Sequence, residues 1–208
     1  LITVGCVLLI TVYLVISGVP AIAKIGLFQF LFGTKWASTA SEPSFGILPF
    51  IMTSIYGTGG AILLGVPVGF FTSVYLAKIA SPKVRGVIET AVSLLAGIPS
   101  VVYGFIGLTV VVPAIRAVFG GTGFGLLSGI FVLFVMILPT VTSMTVDAMK
   151  AVPNFYKEAS LGLGATRWQT IWRVLLRAAA PGILTAVVFG MARAFGEALA
   201  IQMVVGNA

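Results

Sequence analysis

Arg193 and Glu197 stand four residues apart in a stretch, residues 179–205, that carries no other charge. On a helix rising 1.5 Å per residue, Arg193 lies roughly 21 Å along that stretch, near its middle. A guanidinium at that depth of a bilayer costs about 2.5 to 3.5 kcal/mol on insertion scales, so it must face a partner or water rather than lipid. Glu197, one helical turn later, is placed to be that partner. The pair could simply fix the rotation of a helix, since polar groups do hold membrane helices together. Intramembrane charges nonetheless mark substrate routes, and a guanidinium matches a tetrahedral oxyanion with paired donors. The chemistry on offer is anion recognition, with Glu197 holding or releasing Arg193.

Catalytic chemistry is poorly supplied. The 208 residues hold no His and one cysteine, Cys6, which excludes an internal disulfide, a His-ligated metal and a His-based triad. No G-x-x-x-x-G-K-[ST] loop is present, and Gly162-Leu163-Gly164 lacks the spacing of a dinucleotide site. The chain is not read as an enzyme, and any ATP hydrolysis belongs to another subunit.

The elements that must position Arg193 are membrane helices. Hydrophobic residues make up 59% of the chain and charged residues 8%, against about 25% charged in a soluble domain. Mean hydropathy is +1.17. Five apolar spans are legible, at residues 1–23, 46–79, 87–115, 126–145 and 179–205, each long enough for the roughly 20 residues of a crossing. The second exceeds a perpendicular crossing and should tilt, and the third is interrupted by Gly97, Pro99 and Gly104. The stretch from Lys24 to Phe45 between the first two is polar, with a loop-like run at 38–44. Leu1 is read as a trimmed start ahead of a true anchor, not as the end of a cleaved signal peptide. Cys6 is expected to face lipid.

The net charge of +7 sorts onto one side of this arrangement. Lys78, Lys83, Arg85, Lys150, Lys157, Arg167, Arg173 and Arg177 fall in the loops after the second and fourth spans. Lys24, Lys35 and Arg116 fall on the other side. By the positive-inside bias the richer side is cytoplasmic, which places the N-terminus inside. The basic balance thus reads as membrane topology and not as nucleic-acid binding. Small residues four apart, Gly65 with Gly69 and Gly125 with Gly129, are read as the ordinary glycine content of membrane helices, although their abundance indicates a packed bundle.

The loop 150–177 carries the densest pattern. Asn154 is expected to cap a short helix ending near Gly162 and Gly164, and Thr166 with Gln169 forms a capping-box signature for a second. On that second helix Trp168, Ile171, Trp172 and Leu175 make an apolar stripe, with Arg167, Thr170, Arg173 and Arg177 opposite. Two short helices at a bend, lying along the cytoplasmic face, are expected. They serve as an interfacial anchor or as a docking element for a cytoplasmic partner.

Glu158-Ala159-Ser160, Gly164-Ala165, Ile171 and Pro181-Gly182 at these distances resemble the EAA loop of ABC-importer permeases. Arg177 stands where many members have proline. More widely, Phe45-Gly46-Ile47-Leu48-Pro49-Phe50, the run Leu95-Ala96-Gly97-Ile98-Pro99-Ser100-Val101-Val102-Tyr103-Gly104-Phe105, Ala192-Arg193-Ala194-Phe195-Gly196-Glu197-Ala198 and Val205-Gly206-Asn207-Ala208 resemble phosphate-specific permeases of the PstC type. The resemblance covers nearly all of the chain. It implies an all-α, polytopic transmembrane bundle of the type I ABC importer fold, one domain over 1–208, with a sixth span expected beyond the C-terminus.

The resemblance also implies Glu158, Ala159 and Gly164 as contacts of a coupling helix with an ATPase, and Arg193 and Glu197 on the substrate path. Ser100 and Tyr103 are candidate neutral donors to the same anion, with satisfaction of backbone freed at Pro99 the favoured reading. Thr140, Thr142, Ser143 and Thr145 are read as packing residues, and Glu89 and Asp147 as caps or partners at the cytoplasmic surface. The implied partners are a second permease in a heterodimer, a cytoplasmic ATPase dimer holding ATP and magnesium, an extracytoplasmic phosphate-binding protein and membrane lipid. This chain itself binds no cofactor on that reading, and its location is the bacterial plasma membrane. The paired permease of the same system, a permease for another oxyanion, a secondary transporter or channel and a membrane scaffold are the alternatives.

Overall fold

The computed structural model describes residues 2–38, 42–197 and 199–206. Leu1, residues 39–41 of the run 38–44, Ala198, Asn207 and Ala208, which belong to stretches singled out above, lie outside the described residues. Among the described residues five helices are long and apolar enough to cross a membrane, matching the number of spans legible in the sequence. The chain divides into two compact units, Leu1–Ile55 and Tyr56–Ala208.

In the first unit, α1 (Ile2–Ile25) has 24 residues, roughly 36 Å of helix, and buries none of them. Cys6 is exposed on it. The stretch after it is more ordered than its polarity suggested. A short helix α2 (Leu27–Phe32) follows Gly26, and β1 (Trp36–Ala37) pairs antiparallel with β2 (Ser44–Phe45), Trp36 opposite Phe45. The Trp36 ring meets the rings of Phe45 and Phe50 edge-on, each with centroids 5.6 Å apart. Aromatic packing, invisible to a polarity count, thus orders the ribbon.

In the second unit, most of α3 (Leu48–Lys78) precedes α4 (Pro82–Gly97), α5 (Ser100–Ile106) and α6 (Val112–Phe119). A π turn, Gly107–Val111, joins α5 to α6 as one 20-residue span. This corrects the third expected span. Pro99 ends the first half, so α4, with Lys83, Arg85 and Glu89, is a separate helix and the crossing is Ser100–Phe119. Then come α7 (Leu126–Lys150) and α8 (Asn154–Gly162). The short α9 (Arg167–Gln169) passes through a second π turn, Thr170–Leu175, into α10 (Leu176–Gly196), and α11 (Leu199–Val205) follows.

The fifth expected span is also redrawn. Its helix begins at Arg167 and ends at Gly196, where Glu197 leaves helical geometry at φ −87° and ψ 89°. The break separates α10 from α11. Between α11 and α7, the Gly125 N–H donates to the Val204 carbonyl, and Gly129 lies against Val205.

α7 is the hub, with half of its apolar window buried. Against it α3 presents Gly57, Ala61, Gly65, Gly69 and Ser73, all buried and four residues apart. A Cβ on Gly65 would lie 2.5 Å from Ile137 Cδ1, and one on Gly69 would lie 3.0 Å from Val141 Cγ1. Gly65 and Gly69 are therefore a packing face, not incidental glycine content. Gly125, by contrast, precedes α7 at φ +146° and is not part of a helical pair. Ser73 Oγ ties the two helices by donating to the Gly69 carbonyl at 2.6 Å and lying 3.0 Å from that of Thr142.

A Gly65→Leu variant should lower the melting temperature of the detergent-solubilised protein, by an amount corresponding to roughly 1–3 kcal/mol of overpacking. Gly59→Ala, with nothing within 4 Å of the added carbon, should leave it within error. A thermal melt of the two variants checks both.

Candidate functional site

Close approach of α10 to α7 sets up the site. A Cβ on Gly182 would lie 2.5 Å from Ala148 Cβ, and one on Gly190 would lie 2.7 Å from Val141 Cγ2. With those side chains absent the backbones meet, Ala194 is fully buried, and Arg193 beside it reaches α7. Its Nη1 donates to Thr140 Oγ1 at 2.9 Å. Arg193 is half-buried, as is Thr140, which follows Pro139 in mid-helix.

The expected Arg193–Glu197 pair is not formed. The described residues hold one ion pair, and it lies elsewhere. The reason is the break. α10 stops at Gly196, so Glu197 is not a turn farther along the same helical face, and its N–H turns back to the Ala194 carbonyl at 3.4 Å. Glu197 is half-buried at the junction of α10 and α11. The guanidinium therefore has a neutral partner only. Of its five N–H donors, one is taken by Thr140. The remainder meet no acceptor among the described residues.

Thr140 was read from the sequence as a packing residue together with Thr142, Ser143 and Thr145, because a hydroxyl in an apolar span carries no sign of a partner 53 positions away. Below it on α7 stand Ser143, Asp147 and Lys150, spaced three, four and three, which puts all four on one helical face. A cavity of about 220 Å³ opens along the part of that face formed by Ser143, Asp147 and Lys150, lined also by Glu89, Ser93 and Thr142, and neither Thr140 nor Arg193 lines it. At its mouth Lys150 Nζ meets Glu89 Oε1 at 2.8 Å, with both side chains well exposed. Glu89 thus pairs as expected, whereas Asp147 is exposed without an ion-pair partner among the described residues. Such an exposed pair contributes about 0–1 kcal/mol, so it closes the mouth weakly. It also shows that the loops at 78–89 and 147–177 share one end of this unit, as their charges suggested.

Tyr103 is buried, and its hydroxyl donates to the Leu95 carbonyl at 2.7 Å. That carbonyl lies in the last turn of α4, just before the Pro99 break, so Tyr103 satisfies freed backbone as the favoured reading held. Ser100 is half-buried at the first position of α5, and its hydroxyl makes no hydrogen bond among the described residues.

The loop between α7 and α10 is a helical hairpin. Pro153 holds the cap position of α8, so Asn154 is its first helical residue and not its cap. Gly164 turns the chain at φ +84°, its N–H donating to Leu161, and Ala165 donates to Ser160. The capping box forms as expected, with the Thr166 N–H donating to Gln169 Oε1 at 2.9 Å and the Gln169 N–H donating to Thr166 Oγ1 at 3.2 Å.

The second helix is not a separate surface piece, because the π turn carries it into α10. The same turn changes the register. Thr170, expected opposite the apolar stripe, is buried, and its hydroxyl lies 2.9 Å from that of Ser160. Ile171 and Leu175 are buried with Met149, Val74 and Ala179, while Trp168 remains exposed. Glu158, Ala159 and Gly164 are exposed on the outer side, together with Phe155 and Leu163, the latter 89% exposed. Those two apolar residues were not singled out from the sequence. Their signal was Leu163 standing between two glycines of a turn.

Comparison with known proteins agrees with this anatomy. Residues 65–208 match the family described as binding-protein-dependent transport system inner membrane component. A probable ABC transporter permease protein of Bacillus subtilis, YqgH, is 49% identical, covering 100% of this chain and 68% of its own length. The phosphate transport system permease protein PstC of Mesorhizobium japonicum is 34% identical over 87% of this chain, which spans 61% of that protein. The protein PstA 2 of Mycobacterium bovis, a phosphate transport system permease, is 35% identical over 71% of the chain. The chain thus spans between about half and two thirds of the length of these relatives. Among solved structures, the MetNI methionine ABC transporter in an inward-facing conformation matches with a TM-score of 0.56 and 27% identity, over 73% of this chain and 68% of that one.

Replacing Gly164 by Val should cost about 1–2 kcal/mol, since a β-branched residue is strained at positive φ. The loss should appear as faster amide exchange across residues 154–170, with the transmembrane helices unchanged. Hydrogen exchange of the purified protein checks it.

Proposed function

The chain belongs to the binding-protein-dependent transport system inner membrane component family, and on that footing we propose that it is a permease subunit of an ATP-driven phosphate importer. The observation that carries the substrate is Arg193, a cation within a membrane span with a neutral partner and open donors. Phosphate is the chemistry that fills such donors with paired, charge-assisted bonds. The names of the PstC relatives support that choice over other tetrahedral oxyanions. Similarity to PstA 2 supports a second reading, that the chain is the paired permease of the same system.

On this reading residues 1–208 form one transmembrane domain with 150–177 as its cytoplasmic coupling loop. The eight cations after α3 and α7 face the cytoplasm of a bacterial cell, and the N-terminus lies on the same side. A second permease completes the path, an extracytoplasmic binding protein delivers phosphate, and a cytoplasmic ATPase dimer holds ATP and magnesium. Glu158, Ala159 and Gly164 meet that ATPase.

Closure of the ATPase pushes on α8. Because Ser160 is joined to Thr170, and Thr170 belongs to the 30-residue helix Arg167–Gly196, the push is delivered to the lever that carries Arg193. Thr140 orients the guanidinium at rest and gives it up as phosphate arrives. Glu197, an acidic side chain at the break beyond α10, repels the anion onward. The face of α7 from Ser143 to Lys150 then leads to the cytoplasmic mouth, where the Glu89–Lys150 pair opens at little cost.

Phosphate uptake by the assembled transporter should fall at least tenfold in Arg193→Gln and partly recover in Arg193→Lys, with subunit assembly intact. Uptake at the wild-type rate in Arg193→Gln would make Arg193 structural. Glu158→Lys should leave the membrane domain folded but reduce ATPase co-purification or transport-coupled ATP hydrolysis, which a pull-down and a phosphate-release assay read separately.

A further inference from the structure

A second cavity, about 450 Å³, lies beside the hairpin, away from Arg193. Its walls come from the end of α3, the first turns of α4, and α8 with the start of α9. Lys78, Arg85, Lys157 and Arg167 line it, and no carboxylate does. Two of the cations are built in. Lys78 Nζ donates to the Met149 carbonyl at 3.2 Å, and Arg85 donates through Nε to Leu76 at 2.7 Å and through Nη2 to Ala77 at 3.2 Å. The acceptors are orphan carbonyls near helix ends, so Arg85 also caps the last turn of α3 and Lys78 that of α7.

Lys157 and Arg167, on the hairpin side, are exposed and make no ion pair among the described residues. Four like charges around one hollow repel each other unless an anion sits among them. The single ion pair, Lys150–Glu89, belongs to the other cavity. The cavity is lined by Arg167 and Thr170 at the start of the apolar span Arg167–Gly196, whose first turns also carry Trp168 and Trp172, residues that favour a membrane interface. Basic pockets at that depth suit phosphate groups.

We propose that this cavity binds a phosphate-bearing anion, either an anionic phospholipid headgroup or free inorganic phosphate. The anion bridges the hairpin cations Lys157 and Arg167 to the helix-end cations Lys78 and Arg85. It thereby neutralises the repulsion between them and stiffens the seat of α8. The site is separate from the transport path and does not depend on what the chain transports.

The test uses the assembled transporter carrying Arg193→Gln, which removes the transport site's share of binding. Native mass spectrometry is titrated with phosphatidylglycerol and with phosphatidylcholine, and equilibrium binding is measured with radiolabelled phosphate. Lys157→Gln/Arg167→Gln is the variant, chosen because both side chains are exposed and hold no fold contact; intact subunit stoichiometry in the same spectra reports folding. Phosphatidylglycerol or phosphate should bind, with affinity at least tenfold weaker in the double variant and phosphatidylcholine unchanged. Retention of phosphatidylglycerol against excess phosphate identifies the lipid, and its displacement identifies the free anion. Binding of neither probe, as when an acidic side chain of the ATPase fills the cavity, or equal binding in the variant, overturns the proposal.

Discussion

A hydrocarbon interior offers no partner to a polar group, and that constraint organises the second unit of this chain. Helices satisfy their own backbone, so the interesting places are where a helix stops or a charge appears within a span. Both occur within five residues, at Arg193 and at the break after Gly196. Thr140 answers part of the first demand. The rest of the guanidinium meets no acceptor among the described residues, and Gly182 and Gly190 let α10 approach α7 closely.

Mechanical continuity is the second consequence. A hairpin that merely lay on the membrane would transmit little. Here the Ser160–Thr170 hydrogen bond, the capping box and a core of Val74, Met149, Ile171, Leu175 and Ala179 fix the hairpin to one long helix. The π turn at Thr170–Leu175 is what brings Thr170 inward to make that bond, and wide turns of this kind are frequent at functional sites. The outer face, with Leu163 and Phe155 beside Glu158, is exposed.

Much of this was legible in the residues. Apolar run length gave five crossings, and cation placement grouped the two loops that Lys150 and Glu89 join. The capping box at Thr166 and the left-handed turn at Gly164 were readable because each depends on neighbours close in sequence. What depends on distant neighbours was not. Arg193 was paired with Glu197 by helical spacing, whereas the helix ends first and Thr140, 53 residues away, takes the contact. Thr170 was placed on the polar face because a 3.6-residue period cannot anticipate a π turn. The third span was drawn across Pro99, although the charges of α4 already argued for a separate helix. Gly65 and Gly69 looked like common glycine until Ile137 and Val141 were seen against them.

The open guanidinium is the claim on which the transport account stands. It is met most directly by trapping the assembled transporter with arsenate, a heavier tetrahedral stand-in for phosphate, and locating it by anomalous scattering. An arsenic peak placing an oxygen about 3 Å from the Arg193 guanidinium, with Thr140 released, is the result expected. A peak confined to other residues, or an Arg193 still bonded to Thr140 while anion occupies the path elsewhere, would contradict it.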